Sequence, residues 1–218
     1  MHQYIDRSSS AVVTEKLIAD GLVNLIYSKI RENAEFLFNL VTSPRASSLL
    51  SYFNYDNPVM KQPSRLSKMI KELEIDLDEC VAPPEDLKTA RQIFERQIKY
   101  WKCRPMQEEA GVVVAPADSR MVIGSFADDS LLFLKEKFFE FEHMLGKDKS
   151  EWLSTFKNGD YCIHRLTPEK YHYNHLPVSG KVVDIYEIDG CYHSCNPGAV
   201  VNVVTPFSKN KRVVTIID

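Results

Sequence analysis

The chain changes its hydrophobic period at Arg104-Pro105. Upstream, apolar residues recur at helical spacing; downstream, they fall into short β-type runs. From Thr14 to Ile30 the residues Leu17, Ile18, Leu22, Leu25 and Ile26 predict a helix. Asn33 to Leu40 and Ser47 to Phe53 continue the trend, divided by Ser43-Pro44. Lys61 to Asp78 predicts another helix, with Leu66, Met69, Ile70 and Leu73 on one face. Pro83-Pro84 breaks the chain, and Asp86 to Tyr100 predicts one more, carrying Leu87, Ala90, Ile93, Phe94 and Ile98. Beyond Pro105, Val112-Val113-Val114-Ala115 and Met121-Val122-Ile123 read as short strands. Tyr161 to Leu166 alternates as a strand, and Val182 to Ile188 runs into Asp189-Gly190, a hairpin-turn signal. Val200 to Val204 and Arg212 to Ile217 complete the β-rich half. The expected class is α+β: an N-terminal helical region, 1–105, then a mainly antiparallel β-rich core, 106–218.

Composition narrows the function. A chain of 218 residues can bury a sizeable core. The formal charge of -3 argues against nucleic acid as a partner. No apolar run approaches the roughly 18 residues of a spanning helix. The opening MHQYIDRSSS lacks the basic start and apolar stretch of a secretory signal. Five cysteines, an odd number spread from Cys80 to Cys195, do not form a disulfide framework and fit a reducing, cytoplasmic setting.

The chemistry concentrates in RLTPEKYHYNHLPVSGK, Arg165 to Lys181. Two histidines, His172 and His175, lie between Pro168 and Pro177, which suits a turn that presents imidazoles for proton work. Three readings stay open on the residues alone. The imidazoles can satisfy hydrogen bonds in a Pro-bounded turn. They can ligate zinc with a third ligand such as His164 or Asp118. They can also act in acid–base catalysis. Asp118, on the loop Ala115-Pro116-Ala117-Asp118-Ser119-Arg120, is the candidate acid that fixes a histidine tautomer; its plain alternative is turn capping. His164 reads as structural or surface. Cys191-x-His193-x-Cys195 lacks a second cysteine pair, and no metal is expected. Arg96, Lys99, Lys102 and Arg104 suit lipid phosphate, with a solvated helix face as the default.

Order and spacing along nearly the whole chain resemble the phosphatidylserine decarboxylase family. Tyr4-Ile5-Asp6-Arg7 is similar to its opening, and Ile93-Phe94-Glu95-Arg96 with Arg104-Pro105-Met106 to its phenylalanine-arginine segment. Ala115-Pro116-Ala117-Asp118 resembles its Pro-Ala-Asp-Gly loop. Arg165-Leu166, Pro168, Tyr171-His172, His175, Pro177-Val178 and Gly180 resemble its signature. Tyr192, Ser194, Asn196, Pro197 and Asn210-Lys211-Arg212-Val213-Val214 continue the pattern. Ser119 departs from it, standing where the family carries glycine; a positive φ there would strain a serine. His164 also departs, standing where the family carries an apolar residue. Leu131 to Leu145 has helical periodicity, yet the resemblance aligns Leu134 to Gly146 with a strand, a turn and a short helix, and we take that order.

The resemblance implies conversion of phosphatidylserine to phosphatidylethanolamine and CO2. It implies a covalent pyruvoyl group, made from a serine by self-cleavage of a proenzyme, acting through a Schiff base with the substrate amine. It places His175 with Asp118 in the self-cleavage set and His172 in decarboxylation. It also implies a pyruvoyl-bearing α-subunit, a peripheral membrane surface met by amphipathic N-terminal helices (Leu22, Leu25, Ile26, Phe36, Leu37 and Leu40), and room for a homodimer. Gly124-Ser125 is the only Gly-Ser step, and no Leu-Gly-Ser run follows the histidines. The expectation is therefore a proenzyme or β-subunit portion, inactive by itself, with Lys211 to Asp218 left as an exposed strand edge. A catalytically inactive lipid-binding or regulatory relative is the alternative.

Overall fold

The structure is a computed structural model and describes residues 3–15, 40, 42–56, 62–109, 111–127, 131–134, 137–195 and 206–218. Most of the expected helices over 14–30 and 33–40, and the expected strand over 200–204, lie outside the described residues. The class is α+β, with antiparallel strand pairs among the described residues. The chain divides into two units. Unit 1 is Met1–Ser47, Ile123–Cys162 and Val182–Asp218; unit 2 is Ser48–Val122 and Ile163–Lys181.

Unit 2 is built on one apolar cluster. After α1 (Pro44–Ser51) and a π-turn at Tyr52–Asp56 comes α2, Pro63–Glu72, which opens on proline, the residue whose missing N–H costs nothing there. Its stripe of Leu66, Met69 and Ile70, with Leu73, packs on Ile75, Cys80, Leu87 and Ile93. The helix stops short of the expected Asp78 because Glu74 turns left-handed, φ 52, and Ile75 N–H bonds back to Ile70 C=O at 3.0 Å. The expected helix over Asp86 to Tyr100 is also broken. Only α3, Ala90–Phe94, and α4, Tyr100–Cys103, are helical; Thr89 caps α3 by accepting from Gln92 N–H at 3.1 Å. Between them the chain is extended, bridging Cys80 with Ile98. Pairing with that distant segment outweighs the local helical preference.

The expected strand over Val112 to Ala115 is irregular. Val114 N–H reaches Pro177 C=O at 2.9 Å, but Pro116 and Pro177 lack the N–H groups a ladder would need. β3 (Arg120–Ser125) pairs with β6 (Asp160–Arg165).

Unit 1 opens with an unanticipated hairpin. β1 (Gln3–Ile5) pairs with β2 (Val12–Thr14), so Thr14 ends a strand. Asp6 closes its turn by accepting from Ser8, Ser9 and the Ser9 N–H, which lowers its carboxyl to about 2. Leu131 to Leu145 is not one helix: β4 (Leu131–Leu134) and β5 (Lys137–Glu140) pair and α5 (Glu142–Leu145) follows, so the expected strand and short helix are present and a second strand stands between them. α6 is Ser150–Thr155. β7, Val182–Ile188, pairs antiparallel with β8, Arg212–Ile217, after the short α7 at Pro206–Lys209. Asp189-Gly190 is therefore not a tight hairpin. Gly190 is there for close packing: a Cβ would collide with the Lys209 carbonyl. Trp152 donates to Asp184 at 2.8 Å, and Tyr186 Oη to Leu145 C=O at 2.7 Å, tying α6 and α5 to β7. β8 pairs with β7 alone among the described residues, and Ile185 and Val213 are exposed.

Candidate active site

The histidine segment leaves β6 at Arg165 and has no regular structure, as its prolines require. A turn closed by Lys170 N–H to Thr167 C=O, 3.0 Å, brings Thr167 and Tyr171 into the interior. His172 is half-buried and lies flat on Phe94, the rings 3.8 Å apart and 27° from parallel. Burial, and then the charge of Arg96, lower its pKa below the usual imidazole range, so the ring is neutral at pH 7. A hydrogen bond with the Thr167 backbone acts the other way, so the ring is its donor. The buried Nε2 has no partner, which makes Nδ1 that donor and leaves a bare lone pair on Nε2.

His175 is placed differently. Its backbone N–H donates to Pro116 C=O at 2.8 Å, joining the segment to the acid-bearing loop. Its Nε2 lies 3.0 Å from Tyr171 Oη, and Tyr100 packs at 6.0 Å between ring centroids. Burial, and next the Asp118 charge, raise the Tyr171 hydroxyl pKa, so it stays protonated; the His175 tautomer sets which of the two groups donates.

Asp118 meets an arginine. Arg104 Nε donates to Asp118 Oδ2 at 2.8 Å, while Nη1 and Nη2 hold Glu79 at 2.8 and 3.2 Å. Those two carboxylates, Glu79 first, raise the Arg104 pKa. Arg104 occupies one carboxylate oxygen, so Oδ1 is left for a second donor. Ser119 does not take a positive φ, so a serine fits where glycine was expected.

The geometry thus brings His175 and Asp118 onto two adjoining segments and puts His172 in a separate aromatic niche. Arg96 and Arg104 do not form a solvated face. Arg96 is buried, donating Nη1 to Ile93 C=O and Nη2 to Glu169 C=O at 2.9 and 2.6 Å. Lys99 Nζ donates to Asp78 C=O, and Lys102 is exposed. Tyr171 and Arg104 are the residues whose roles sequence reasoning missed. Each sits inside a quoted motif, but nothing local points to its partner. None of the five cysteines is in a disulfide, and His193 is held through its backbone by Asn210.

A family model described as phosphatidylserine decarboxylase matches residues 90–218. A protein of Oryza sativa subsp. japonica named phosphatidylserine decarboxylase proenzyme 2 is 38% identical, covering 97% of this chain and 34% of its own length. A phosphatidylserine decarboxylase proenzyme of Fusobacterium nucleatum subsp. nucleatum is 27% identical over 99% of this chain and 70% of its own length. In Schizosaccharomyces pombe, phosphatidylserine decarboxylase proenzyme 3 is 29% identical over 90% of this chain and 20% of its own length. The chain therefore spans about a third of the rice relative and a fifth of the fission-yeast one.

Proposed function

Since this chain belongs to the phosphatidylserine decarboxylase family, we propose that its site serves the loss of CO2 from the serine head group of a phospholipid. A pyruvoyl carbonyl would supply the electron sink that such a reaction needs. One observation carries the reading: His172 Nε2, buried and without a partner, on a ring that burial keeps neutral. It fits a carbonyl chemistry in which protons must be taken up and returned beside the reacting atoms.

Each residue then has a task. His172 holds or moves a proton at Nε2, oriented by the Phe94 stack and by Nδ1–H to Thr167. Its neutrality makes it an acceptor at pH 7. His175 serves self-cleavage, with the Tyr171 hydroxyl at its Nε2. Asp118 offers Oδ1 to that imidazole while Arg104 fixes Oδ2. Arg96 holds the carbonyls of Ile93 and Glu169, keeping the Phe94 and His172 segments in register. The cleavage serine, the pyruvoyl-bearing subunit and the membrane surface belong to the same proposal.

The test uses the complete gene product with phosphatidylserine vesicles, following CO2 release and chain cleavage by intact mass. His172→Ala should lower CO2 release by about 100-fold or more while cleavage proceeds. His175→Ala and Asp118→Asn should block cleavage. Wild-type protein that neither cleaves nor releases CO2 would overturn the reading and leave a lipid-binding relative.

A further inference from the structure

Four contacts between the acid-bearing loop and the histidine segment stand out among the described residues. Val114 N–H bonds Pro177 C=O, and His175 N–H bonds Pro116 C=O. Arg120 lies 3.8 Å from Glu169. The fourth contact is Ser119 Oγ to His164 Nδ1, at 2.7 Å. It is the one that both flanks Asp118 directly and reaches the strand feeding the histidines, since His164 is the penultimate residue of β6. It also joins two of the positions at which the chain departs from the family's pattern, serine for glycine and histidine for an apolar residue.

The proton arrangement is constrained. Ser119 Oγ is also 3.3 Å from Ala117 C=O. Both contacts are hydrogen bonds in one arrangement only: His164 Nδ1–H donates to Ser119 Oγ, and the hydroxyl donates to Ala117 C=O. The result is a relay from β6 through Ser119 to the carbonyl preceding Asp118. It closes the loop from both sides of the acid. A glycine would have to hold the same turn by backbone alone, and Ser119 needs no positive φ to do it.

We propose that His164 and Ser119 are a positioning pair whose hydrogen bond fixes the Asp118 loop against the histidine segment. The pair acts through Asp118 and so rests on the reading of that residue as the orienting acid; the measurement below does not.

The experiment uses the 218-residue chain labelled with 15N. In wild type, His164 should show a protonated Nδ1 and an unprotonated Nε2. Ser119→Ala removes one oxygen, and should speed exchange of the His175 amide, whose acceptor is in the loop, by about tenfold. His164→Asn keeps a donor near the Nδ1 position and should hold exchange within about threefold of wild type, whereas His164→Gln should match Ser119→Ala. Combining Ser119→Gly with His164→Val should be no worse than Ser119→Gly alone. The Ile93 amide, in the core, should stay protected throughout, which separates loop release from unfolding. Equal behaviour of the asparagine and glutamine variants, or unchanged His175 exchange in Ser119→Ala, would overturn the proposal.

Discussion

His172 lies flat against Phe94, ring on ring at 3.8 Å, and the same phenyl meets Tyr55 at 5.1 Å on another side. A neutral imidazole in that slot is orientated by dispersion and by its Thr167 bond. Phe94→Ala removes the floor of the slot. It should cost about 2 kcal/mol and let the His172 ring reorient. Urea denaturation gives the first number, and imidazole 15N shifts show the second.

Arg104 serves two carboxylates with one guanidinium. Arg104→Gln should destabilise by about 1–2 kcal/mol, because Glu79 and Asp118 then face each other's charge with no cation between. Arg104→Lys should recover less than half of that, since an ammonium cannot reproduce the fork. Urea midpoints of both variants check it.

Acid should unfold the chain early. His164, His172 and His193 all have lowered pKa values, chiefly from burial. Their folded values lie below the ordinary 6.5, so the unfolded chain protonates first. Their contribution is complete above that value and is lost as pH falls through the folded values. Stability measured by urea should therefore drop as pH falls below about 6.5, and His172→Gln should flatten part of the drop.

Ile93 is 1% exposed at the centre of the unit 2 cluster. Ile93→Ala should cost about 3–4 kcal/mol, and Ile93→Val about 1 kcal/mol. A thermal scan of the two variants distinguishes lost packing from lost fold.

Tyr171→Phe deletes the hydroxyl that meets His175 Nε2 at 3.0 Å. The expected cost is about 1 kcal/mol, with a change in the His175 ring 15N shifts. Unchanged shifts would show that the hydroxyl does not set that tautomer.

What the sequence made legible was local. The stripe Leu66, Met69, Ile70 and Leu73 announces α2 because its spacing is a property of ten consecutive residues. The histidine turn is announced by its prolines. The break after Phe94 was not readable, because it depends on Cys80 pairing with Ile98 from another part of the chain. Gly190 carries the letters of a turn and the work of a close approach, which only the position of Lys209 reveals. Likewise, no local signal marks Glu79 as the partner of Arg104, 25 residues on. Leu131 to Leu134 and Lys137 to Glu140 read as helix by period and form strands, where family order was the better guide.

The interleaving of the two units bears on how the chain is made. Unit 2 takes Ser48–Val122 early and Ile163–Lys181 late. At roughly 5–20 residues per second, its first segment leaves the ribosome seconds before the histidine segment exists. During that interval the Asp118 loop lacks the carbonyl of Pro177, the amide of His175 and the imidazole of His164. The nascent chain must therefore wait with Asp118 made and His172 and His175 still untranslated, so the two segments can be joined only after most of the protein has left the ribosome.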